Sequence, residues 1–192
     1  MSSYTFALVD VFTERPLAGN QLAVILNAEG LDDGQMLAIA REFNYSETTF
    51  ILPPRHAKAD RRLRSFTKKE EVFGSGHHTL GAWWALAARG ELELRDPETN
   101  FWQEIGVGVS PVYIFSEGAS EGGAPLRVAT AQNKPHFGDK PADLAGLARA
   151  LGLEVSDFDL ERLEPQAVST GATHLITPAR SLSVLQRVRI DA

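Results

Sequence analysis

The sequence predicts an α+β fold in which a curved sheet encloses a central helix, and three observations predict it. Short runs rich in β-branched and aromatic residues recur along the chain, bounded by proline, glycine or small polar residues, as strands joined by turns are. Residues 32–44 carry apolar side chains at helical spacing on a single face. Residues 79–88, Thr-Leu-Gly-Ala-Trp-Trp-Ala-Leu-Ala-Ala, hold no charged side chain until Arg89. A helix apolar on every side leaves large apolar area in water unless it is enclosed, so a curved sheet must wrap around it.

Taken in order, residues 4–12 read as a buried strand that stops at Thr13-Glu14-Arg15-Pro16, and residues 22–26 as a second strand. Asp32 with Gln35 forms a capping box for a helix whose inward face is Met36, Leu37, Ala40 and Phe43, ending near Asn44. Residues 46–52 have the β-branched content of a strand, closed by Pro53-Pro54. Residues 61–66 follow as another strand, with Arg61, Arg62 and Arg64 on its solvated side. Glycines 74 and 76 introduce the apolar helix, Trp83 and Trp84 are core residues of it, and Gly90 caps its C-terminus. Residues 100–109 and 112–115 are strands, and residues 116–125 have the composition of a flexible connector. The domain boundary is therefore placed there, giving units 1–117 and 118–192. The second unit holds a strand at 126–131, a helix at 142–151 closed by Gly152, a strand, turn and strand at 168–177, and a helix capped by Ser181 with Leu182, Leu185 and Val188 inward. This order echoes the first half without an exact internal repeat.

Composition narrows the chemistry. The 192 residues can bury a full core, and a formal net charge of -6 repels phosphate backbones, so nucleic acid is not an expected partner. There is no cysteine, which excludes disulfides, thiolate metal sites and thiol nucleophiles. Proton chemistry must use carboxylates, histidines or water. The N-terminus has no basic start followed by a long apolar stretch, and no segment is apolar enough to span a bilayer, so the cytoplasm is the expected location, with no membrane partner.

Two features carry chemistry. The start of the apolar helix, Gly74-Ser75-Gly76-His77-His78-Thr79, leaves amide hydrogens accessible for an anion such as a carboxylate, with Ser75, His77 and His78 adding hydrogen bonds. A glycine-led helix start is also common without any ligand. Glu47 lies just after a helix on a strand of Thr and apolar residues, where partial burial raises a carboxylate toward neutrality and lets it take and return a proton. On position alone, an outward-facing strand residue in solvent is the simpler reading. No metal is expected at His77-His78, because adjacent residues diverge and no third ligand stands at a diagnostic spacing.

Four blocks then line up in order: residues 10–24 (Asp-Val-Phe-Thr-Glu-Arg-Pro-Leu-Ala-Gly-Asn-Gln-Leu-Ala-Val), residues 36–44, Ser46-Glu-Thr-Thr-Phe50, and Gly76-His-His-Thr-Leu-Gly81. Together they resemble the PhzF-like phenazine-biosynthesis family. The resemblance implies a diaminopimelate epimerase-like fold: two similar lobes, each a curved, barrel-like mixed sheet around a central helix, with the substrate between them. It implies an isomerase without a cofactor that moves a proton on a small, cyclic or conjugated carboxylate, with catalytic Glu47 and His77 and with Asn20 and Gly76 lining the same cleft; Ser75, His78 and Thr79 at the helix start are expected to meet the substrate there as well. Gln21 and His78 stand where many relatives carry proline, a change in turn rigidity. The chain stops before the Gly/Ser-rich turn with which relatives continue, so the second lobe is expected to be incomplete, with an unpaired sheet edge that favours a homodimer. Competing readings are a non-catalytic binding or assembly module, or an inactive shortened homologue, that keeps the anion pocket, and more weakly a metal hydrolase using His77 and His78.

Overall fold

The computed structural model describes residues 3–74, 76–95, 97–116, 126–132, 134–170 and 173–190, which form two compact units, Met1–Gln132 and Asn133–Ala192. In the first unit, β1 (Phe6–Val11), β2 (Asn20–Ile25), α1 (Asp33–Phe43), β3 (Glu47–Leu52), β4 (Arg61–Phe66), β5 (Glu71–Val72), α2 (His77–Ala88), β6 (Glu98–Ile105), β7 (Gly108–Phe115) and β8 (Arg127–Thr130) follow in chain order. The sheet runs β1-β2-β3-β4-β6-β7-β8, with β5 attached to β4.

It is a mixed sheet. The pairs β2/β3 and β4/β6 are parallel and the rest antiparallel. A parallel neighbour requires the chain to travel back before pairing, and α1 and α2 make those two returns. Strand alternation puts the helices on opposite faces. Leu22, Val24, Ile51 and Leu63 pack with Trp83 and Leu86 of α2, whereas Ile25, Phe50 and Phe66 pack with Met36 and Ala40 of α1. Because α2 touches both β1 and β8, the two ends of the strand order, the sheet curls around it.

Enclosure of α2 is incomplete, contrary to the sequence expectation. Trp83 is fully buried, but Trp84 is 41% exposed, and with Leu80 one turn earlier it faces an open groove lined by β1 and β8. The groove exists because β1 and β8 are edges that pair with nothing further among the described residues. For the same reason β1 is not a buried strand: Ala7, Val9 and Val11 pack toward α2, while Phe6 and Leu8 stay about half exposed.

The ends of both helices follow local chemistry. Asp32 and Gln35 complete the capping box of α1, and Asn44 leaves it in a left-handed conformation. Gly90, at φ 71°, closes α2 in a Schellman pattern, its amide on the Ala87 carbonyl and that of Glu91 on Leu86. The arginines of β4 are less solvated than expected: Arg64 binds Asp33 and Glu71, and Arg62 lies 3.7 Å from Glu104. Strand β6 ends at Ile105 rather than 109, and β7 begins earlier than expected, at Gly108, with Pro111 inside it opposite Trp102. The Pro111 carbonyl faces Ala131, so the missing N–H of the ring falls just outside the β7/β8 ladder and breaks nothing.

β8, read from the sequence as opening the second unit, pairs with β7 instead. The connector at 117–125 lies outside the described residues. The second unit contains β9 (His136–Phe137), α3 (Leu144–Ala150), a short 3-10 turn (Val155–Asp157), β10 (Gln166–Ser169), β11 (Thr173–Ile176) and α4 (Leu182–Arg187), with sheet order β11-β10-β9. Asp143 and Ser181 cap α3 and α4. The phase of α4 differs in part from expectation: Val188 packs inward as expected, but with Val184 against Ala148 and Phe158, while Leu182 and Leu185 are exposed. No helix among the described residues is long and apolar enough to cross a membrane.

Candidate active site

Glu47 is the first residue of β3, directly after the left-handed turn at Asn44 that ends α1. Its parallel partner on β2 is Leu22, which faces α2, so Glu47 faces α2 as well. Gly76 precedes α2 in extended backbone, and the helix opens on His77 and His78. These two starts meet: His77 Nε2 lies 3.2 Å from Glu47 Oε2, with side chains 11% and 21% exposed. The pair is close but not aligned for a hydrogen bond, and both atoms are buried without another partner among the described residues. Native structures rarely leave buried polar atoms so, and a ligand is one way to supply the partner.

His78 is buried and donates its Nε2 hydrogen to the Gly74 carbonyl at 3.1 Å, so Nδ1 carries the lone pair. A ring nitrogen of each histidine and a Glu47 oxygen all lie within 4.8 Å of one another. No third ligand lies near His77-His78 along the chain, but the fold delivers Glu47 from another strand. Burial holds both imidazoles below the ordinary histidine pKa of 6.5. For His77 the Glu47 charge partly opposes burial, and for His78 the Gly74 carbonyl does.

Thr49 fixes the spacing. Its hydroxyl donates to the His78 carbonyl at 3.3 Å and therefore accepts from Ser65 Oγ at 2.9 Å, all within the buried interior. Strand alternation places Thr49 on the same face as Glu47, so β3 is tied to the first turn of α2 two residues from the carboxylate. Sequence reasoning missed this pair. Alternation along β3 could have pointed to Thr49, but Ser65 emerges only from the β3/β4 register.

The remaining site expectations fall in different places. Asn20 lies on the same face as Leu22 and Glu47, exposed, its Oδ1 accepting from Ser46 Oγ at 3.4 Å. Gly76 sits at the helix start, where its amide donates to Thr79 Oγ1 and its carbonyl accepts the Thr79 hydroxyl, so the buried Thr79 has a local structural partner. Ser75 lies outside the described residues.

The histidines make stability depend on pH. Below 6.5 the unfolded chain binds protons that buried, neutral His77 and His78 refuse, so stability falls as the pH drops from 6.5 toward their folded-state values. Urea midpoints measured between pH 8 and pH 5 should decline on that limb, and less steeply in His78→Gln. Equal slopes would show that His78 is not among the groups responsible.

The family model for phenazine biosynthesis-like proteins, PhzC-PhzF, matches residues 9–192. An uncharacterised isomerase of Mesorhizobium japonicum is 36% identical over 191 residues, which cover 100% of this chain and 61% of that protein. Trans-2,3-dihydro-3-hydroxyanthranilate isomerase of Pseudomonas fluorescens is 30% identical over 188 residues, covering 98% and 62%. The crystal structure of a PhzF-family phenazine biosynthesis protein of Bacillus anthracis is similar at TM-score 0.85 and 33% identity, across 100% of this chain and 60% of that one. The chain thus spans about three fifths of the length of these relatives. With the curled mixed sheet around α2, these likenesses establish the α+β, diaminopimelate epimerase-like fold.

Proposed function

From the premise that this chain belongs to the phenazine biosynthesis-like family, we propose that it is an isomerase that moves a proton on a small carboxylate, with Glu47 as the acid/base. The observation that carries this reading is the buried, unaligned contact of 3.2 Å between Glu47 and His77 at the N-terminus of α2. A carboxylate with a free, sheltered oxygen can remove a proton from a neighbouring carbon, keep it, and return it to another carbon on the same face. The neutral His77 imidazole next to it can hydrogen-bond the protonated carboxyl or the substrate without adding charge. The substrate's own carboxylate would be held by the first-turn amides of α2, which precede its helical hydrogen bonds, with Gly76 and His78 beside them and Asn20 farther along the same face.

Nothing in this scheme calls for a cofactor. A ring that is cyclic or conjugated suits it, because the charge left after proton removal spreads over adjacent double bonds. The homodimer and cytoplasmic setting belong to the same proposal. The test is solvent deuterium: incubation in deuterated water with a panel of cyclic unsaturated carboxylates, 2,3-dihydro-3-hydroxyanthranilate among them, should place deuterium on a ring carbon. Carboxylate binding with no deuterium on carbon across the panel would instead support the binding-module reading.

A further inference from the structure

We propose that Glu47, His77 and His78 also form a binding site for one transition-metal dication, with Zn²⁺ the best match, and that the bound ion blocks the site. The blocking half rests on the acid/base reading of Glu47; the binding half stands apart from it. Zinc holds imidazole nitrogen and carboxylate oxygen at about 2.0–2.2 Å in a tetrahedron, which places neighbouring ligand atoms roughly 3.3 Å apart. Glu47 Oε2 and His77 Nε2 already stand 3.2 Å apart, both buried and without hydrogen-bond partners among the described residues. Both atoms are closed to solvent before any ion arrives.

An independent observation concerns His78. Metal-binding imidazoles commonly donate their second ring N–H to a backbone carbonyl or carboxylate, which fixes the tautomer and orientation. The His78 Nε2 contact with Gly74 has this form and leaves the other nitrogen free to donate its lone pair. A ring nitrogen of each histidine and one Glu47 oxygen lie within 4.8 Å of one another, so a side-chain adjustment of about 1.5 Å closes the set around one ion. Two imidazoles with one carboxylate favour zinc over magnesium or calcium, which seek oxygen-rich shells. Three protein ligands leave a fourth position for water. An ion in this position occupies the Glu47 lone pair that would otherwise take the substrate proton.

The experiment is a titration of Zn²⁺ into the full chain against a zinc-chelating dye, with melting curves of each metal-free variant to confirm folding. The parent should take up one equivalent, excess Mg²⁺ should not displace it, and His77→Gln and Glu47→Gln should each weaken it about tenfold or more. His174→Ala, at an exposed strand position in the other unit, should match the parent. Retention within threefold in either site variant, or failure of the parent to compete with the dye even at millimolar zinc, overturns the binding site. Deuterium exchange should stop with one equivalent of zinc and return with a chelator. Persistent exchange in the zinc-loaded protein overturns the blocking half alone. Absent exchange in metal-free protein counts against the acid/base reading, while the dye titration still decides the site.

Discussion

Glu47→Gln should abolish deuterium incorporation into the substrate while leaving the chain folded, a loss of about 10²–10⁴-fold, the usual contribution of a positioned acid/base. The amide has nearly the same shape as the carboxyl but cannot accept the carbon-bound proton. Stability should hold or rise slightly, since the exchanged oxygen is buried with no aligned partner and the substitution removes charge from a sheltered place. The two readouts together make the result interpretable: exchange is followed by mass spectrometry or proton resonance, and folding by thermal melting. Exchange within threefold of the parent, in a folded protein, would move the base elsewhere and leave the contact between Glu47 and His77 as structure alone.

Trp83→Ala should cost the first unit most of its stability. The indole is wholly buried, stacks on Phe101 with ring centroids 5.3 Å apart, and donates Nε1–H to Gln103 Oε1 at 3.0 Å. Truncation opens a cavity worth about 3–5 kcal/mol and leaves the buried Gln103 oxygen without its donor, about 1–3 kcal/mol more. Native domains hold only about 5–15 kcal/mol in total, so the variant should be largely unfolded or close to it in urea titrations. Trp83→Phe keeps much of the volume while losing the donor, and should fall between. A loss under about 1.5 kcal/mol for the alanine variant would mean that the core repacks around the hole.

Much of this was legible in the sequence because the governing physics is local. The capping box at Asp32, the Gly90 stop and the all-apolar run at 79–88 each specify their element within a few residues. Glu47 and His77 were legible as candidates through the ordered blocks that resemble the family, not through position, which for Glu47 favoured a solvated strand residue. Contacts set by pairing register stayed hidden. Ser65 meets Thr49 only because β3 and β4 align them, and Glu47 joins two histidines only after α2 docks. Trp84 was misjudged because composition shows that a helix is apolar on all sides but not whether the sheet around it closes. The phase of α4 was right only at Val188, for a related reason: six residues carry too little periodicity to choose between Leu182 with Leu185 and Val184 as the inward positions.

The open roll has a consequence for how the molecule breathes. In a closed barrel every strand is held by two ladders, but here β1 and β8 are each held by one, six residue pairs for β1 and four for β8. Of these two rims, β8 should therefore fray before β1, exchanging its amide hydrogens earlier and wetting the Trp84 side of the helix. Glu47 rides on β3, which is laced to β2 on one side and β4 on the other. The carboxylate thus sits on one of the last strands to loosen, and the protein can lose its rim many times without disturbing the place where a proton would change hands.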